Sequence, residues 1–67
     1  MSEHLRREID KLKKKILHLG TVVEEGMQKA VQALLQRNEA LAREVVESDI
    51  KIDQMEVDVE EECLKLL

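Results

Sequence analysis

A chain of 67 residues with a single cysteine and a formal net charge of −4 can close no internal disulfide, has no Cys/His cluster for a zinc cage, and is too short to bury much of its own surface. With no aromatic residue, no proline, 43% apolar and 39% charged residues, it has the composition of a long helix or coiled coil. Disorder is the competing reading of so charged a chain, and the regular apolar spacing described below argues against it.

The first helix is expected over about residues 3–36. Leu5, Ile9, Leu12, Ile16, Leu19 and Val23 step by four and three, which is a heptad seam. The register continues through Gly26, Ala30 and Ala33, whose small side chains let a neighbouring backbone approach. Met27, Val31 and Leu34 widen the stripe. Gly20-Thr21 is ambiguous, because Thr21 with Glu24 spells a capping box and Gly20 can end a helix. The seam crosses that point in phase, so one continuous helix is expected.

Arg37-Asn38-Glu39 is the predicted turn, with Asn38 as N-cap and Glu39 in the first turn, where the helix dipole favours an anion. So short a connection makes the helices antiparallel. The second helix, about residues 39–66, has its seam at Leu41, Val45, Ser48, Ile52, Met55, Val59 and Leu66, with Cys63 beside that line. Each rod should be about 40–50 Å long. Residues 1–36 hold seven Lys/Arg and five Asp/Glu, and residues 37–67 hold four and ten. Antiparallel pairing lays the basic start, Arg6 to Lys15, beside the acidic end, Glu56 to Glu62. One hairpin seam leaves apolar surface uncovered, so a third helix or a second copy should complete the bundle.

On a wheel of about 100° per residue, Val46, Ile50, Val57 and Leu64 form a second apolar strip on the second helix. Between the two strips lie Asp49, Asp53, Glu56 and Glu60, at spacing i, i+4, i+7, i+11 on one face. An ordinary acidic face lies opposite the seam, whereas this one is bordered by apolar residues on both sides. If packing dried it, the carboxylates would have to protonate or find a cation. Oxygen-only donors suit a hard metal ion, with Mg, Ca, Mn or Fe the candidates and Zn admitted by the resemblance described below. A basic partner and simple solvation at the edge of a bundle are the other readings.

The remaining candidates read as structural. His4 and His18 share an outward face and read as solvated. Cys63 has no neighbouring base to activate it and reads as a small core residue, as do Met27 and Met55. There is no Glu-x-x-His pair of the di-iron type, no Ser/His/Asp set and no glycine-rich phosphate loop, so no enzyme is expected. The run Lys11, Lys13, Lys14, Lys15 spreads around its helix, and an acidic chain without aromatics is a poor nucleic-acid binder. No apolar run nears the roughly 20 residues that span a bilayer, and the opening Met1-Ser2-Glu3-His4 lacks the core of a signal peptide. A soluble cytoplasmic protein without membrane insertion is the expectation, and a lone thiol fits a reducing compartment.

Three stretches resemble the opening of PhoU-family phosphate-uptake regulators. They are His4-Leu5-Arg6-Arg7-Glu8-Ile9-Asp10-Lys11-Leu12, Val22-Val23-Glu24-Glu25-Gly26-Met27 with Lys29-Ala30, and Asp49-Ile50-Lys51-Ile52-Asp53 through Met55-Glu56 to Glu62-Cys63-Leu64-Lys65-Leu66-Leu67. The resemblance covers essentially the whole chain. It implies an all-α fold in which these residues are the first two helices of the first of two three-helix bundles. It implies Glu/Asp-x-x-x-Asp motifs that hold iron or zinc; Asp49-x-x-x-Asp53 matches, while Glu56-x-x-x-Glu60 departs by ending in Glu. It further implies a non-catalytic adaptor between the phosphate ABC transporter and a sensor histidine kinase, repressing the phosphate regulon when phosphate is plentiful. The expectation is therefore a long antiparallel hairpin, completed as a homo-oligomer, that regulates phosphate uptake. The alternative is a structural coiled-coil hairpin that mediates only self-association.

Overall fold

The computed structural model describes residues 2–67, and these form two helices, α1 (Glu3–Gln36) and α2 (Glu39–Leu66). Among the described residues there is no strand. The hairpin is a rod of 52 × 15 × 12 Å.

Each helix begins where the chain supplies a cap. Ser2 is extended (φ −69°, ψ 153°), and its hydroxyl accepts from the Leu5 N–H at 3.1 Å. Asn38 does the same for α2, its side-chain oxygen accepting from the Leu41 N–H at 3.1 Å. Such caps satisfy amides that no helical carbonyl can reach. Glu3 and Glu39 add a negative charge to each first turn, which the helix dipole favours.

The turn itself is a Schellman closure. Arg37 adopts the left-handed conformation (φ 51°, ψ 42°). This lets the Asn38 N–H bond back to the Ala33 carbonyl at 2.9 Å and the Arg37 N–H to that of Leu34 at 3.3 Å. The chain reverses within two residues, so the helices run antiparallel. Arg37 lacks glycine's freedom at positive φ, and that conformation costs about 1 kcal/mol or more for a residue bearing a Cβ.

α1 runs unbroken through Gly20-Thr21. Instead of capping a new helix, the Thr21 hydroxyl donates to the Leu17 carbonyl at 3.2 Å, the back-bond open to a threonine inside a helix. The seam follows the heptads. Leu5, Leu12, Leu19, Val23, Gly26, Ala30 and Ala33 on α1 meet Leu41, Val45, Ser48, Ile52, Met55, Val59, Cys63 and Leu66 on α2, all buried or half-buried. At Gly26 the partner helix packs near the backbone, where an added Cβ would lie 3.6 Å from Ile52 Cδ1.

Three seam assignments need correction. Ile9 and Ile16 stay 38% and 46% exposed, and Met27, read as core, is 66% exposed. All three sit about 40–60° round the helix from Leu12, outside the line that one neighbouring helix covers. Only Leu12, Ala33 and Ile52 are buried outright. The predicted flank of opposite charges reduces, among the described residues, to one ion pair between the helices, Lys15 with Glu62. The other ion pairs, Arg7–Glu3, Lys11–Glu8 and Arg43–Glu39, lie within a single helix.

These backbone details set an expectation for stability. A methyl group at Gly20 meets nothing within 4 Å, so Gly20→Ala should stabilise by about 0.5–1 kcal/mol through helix propensity. Arg37→Gly should stabilise by a similar amount through relief of the left-handed turn. Thermal melting followed by circular dichroism at one fixed protein concentration checks both. A lower melting temperature for Arg37→Gly would contradict the turn geometry.

Candidate interaction face

The hairpin is two-faced, and the difference follows from where side chains fall beside the seam. One groove between the helices is lined by Val23, Gly26, Met27, Ala30, Val45, Asp49, Ile52 and Glu56. Toward the turn the same face continues through Leu34 and Ala42. Beside the groove on α1, Met27, Val31 and Leu34 are 66, 56 and 79% exposed, while Val46, Ile50, Val57 and Leu64, 65, 68, 45 and 72% exposed, lie about 140–180° round α2 from its seam, on the outer side of that helix. Scattered surface leucines are ordinary, but apolar side chains gathered along one face mark a surface for contact.

The opposite groove has another character. Lys15, His18, Met55, Asp58 and Val59 line it, and Glu8, Lys11 and Glu62 lie on the same side by helical phase. The Glu62 carboxylate accepts a hydrogen bond from Lys15. That bond, reinforced by the charges of Glu62, Asp58 and Glu8, holds the Lys15 amine above its ordinary range, against a smaller opposing effect of desolvation.

Asp49, Asp53, Glu56 and Glu60 are all exposed, and all lie on the apolar side of α2, within about 60° of arc. The structure divides them into two pairs. Asp49 and Glu56 line the groove against Met27 and Gly26. Asp53 and Glu60 sit further round α2, toward Val46 and Ile50. No lysine or arginine lines this groove. Among the described residues, none of the four carboxylates takes part in a side-chain hydrogen bond or an ion pair.

As metal donors the four carboxylates are of the right class, being hard oxygen ligands. Their arrangement is incomplete: among the described residues no three His, Cys, Asp or Glu side chains gather closely enough to hold an ion. One helix face spreads its carboxylates along the rod, and a cation of six or more ligands needs donors from a second element. His4 and His18 are exposed and Cys63 is half-buried in the seam, as their positions predicted. Sequence reasoning passed over two features, the Ser2 cap and the left-handed Arg37. A serine directly before Glu3 was the available signal for the first; an arginine gives no signal for the second.

The Lys15–Glu62 contact yields a pH dependence. A lysine whose amine is held above its unfolded value adds stability that is fully present below the ordinary lysine pKa and is lost as pH rises through the raised one. Melting temperature should therefore fall further in wild type than in Glu62→Gln as pH climbs above 10.5. Parallel profiles for the two proteins would show that the contact contributes nothing.

Comparison with known proteins gives a consistent pattern. The family model described as PhoU domain matches residues 16–67. The chain is 34% identical over 67 residues to phosphate-specific transport system accessory protein PhoU homolog 2 of Thermotoga maritima, covering 100% of this chain and 28% of that protein. It is 35% identical over 63 residues to a PhoU homolog of Aquifex aeolicus, covering 94% of this chain and 28% of the relative. It is 34% identical over 67 residues to a PhoU homolog of Pseudomonas aeruginosa, covering 100% and 28%. The chain thus spans little more than a quarter of the length of these relatives. No solved structure matches it significantly. No helix of the described residues is long and apolar enough to cross a membrane.

Proposed function

The chain belongs to the PhoU family, and on that premise we propose that it is a non-catalytic regulatory adaptor of phosphate uptake, acting through its apolar face. The observation that carries this is the match along the full 67 residues to phosphate-transport accessory proteins, combined with a fold that leaves one long face open for contact. The side chains fit recognition better than turnover. No nucleophile has a base beside it, and both histidines are exposed. A hairpin with one uncovered face does its work by being covered. The phosphate ABC transporter and a sensor histidine kinase are the proposed partners, and the cytoplasm the proposed setting.

The acidic strip is the finer part of the proposal. We infer that Asp49, Asp53, Glu56 and Glu60 contribute oxygen ligands to a hard cation when a further element brings its own donors to the same face. Carboxylates between apolar strips resist drying unless positive charge accompanies the cover. A metal ion supplies that charge compactly.

Two measurements test these statements. Expressed in a bacterium that retains its own phosphate-transport accessory protein, the chain should disturb repression of a phosphate-starvation reporter in phosphate-rich medium. Ile50→Ser with Leu64→Ser should abolish the effect while circular dichroism stays helical. A reporter indifferent to the chain at every expression level refutes the adaptor reading. By calorimetry, the chain alone should bind Mn²⁺ no more tightly than about 1 mM, the weak end of oxygen-ligand sites. Micromolar binding that survives Asp49→Asn with Asp53→Asn would place the ion elsewhere.

A further inference from the structure

We draw no further inference here: the strongest candidate, the exposed apolar row Val46, Ile50, Val57 and Leu64 on the outer side of α2, carries none, because nothing in the structure shows what covers it.

Discussion

Two helices lying side by side share one line of contact, and a side chain more than about a quarter-turn from that line stays in water. The consequences run through the whole molecule. The heptads of α1 and α2 are satisfied along Leu12, Ala33 and Ile52; Met27 and Leu34 stay exposed beside the seam, and Leu17, Leu35, Ile50 and Val57 stay exposed on the outer sides of the two helices. Ordering a chain of this length costs backbone and side-chain entropy at every residue, and one narrow seam offsets little of it. Further packing against the exposed apolar residues would add to the stability of the hairpin.

The groove on the other side of the seam carries more charge. Lys15, His18 and Asp58 line the other groove together with Met55 and Val59, and the Lys15–Glu62 contact joins the helices on that side. Exposed pairs of this kind add little stability singly. Their effect is on orientation: with a two-residue turn at one end and an attractive pair near the other, the helices are held antiparallel and in register. The caps at Ser2 and Asn38 fix where each rod begins. Geometry at the ends thus determines which residues flank the groove in the middle.

Much of this was legible in the residues, and the gaps have physical reasons. The two helices, their bounds, the Asn38 turn and the continuity through Gly20-Thr21 all followed from period, phase and capping chemistry, which are local. Ile16 and Met27 were read as core because a wheel gives an arc, and the number of neighbours that cover an arc is a tertiary fact. Arg37 in the left-handed region was invisible because arginine has no preference for it; the two-residue turn imposes it. The acidic strip was legible as one face. Its division into Asp49 and Glu56 within the groove and Asp53 and Glu60 further round depends on where the α1–α2 contact line falls.

Family membership and physical reading converge on the same strip from different directions. The likeness to phosphate-transport accessory proteins shows the family; it does not say why carboxylates should stand between apolar strips. Electrostatics gives a reason. A purely apolar face would accept any greasy surface, including that of an unfolded neighbour. Four carboxylates bordered by apolar residues would lose hydration to any cover that lacked positive charge. The strip therefore costs the bare hairpin little while it stays wet and becomes a filter once something packs against it. A hard metal ion would supply such charge only with further oxygen donors from its surroundings, since one helix face spreads its carboxylates along the rod.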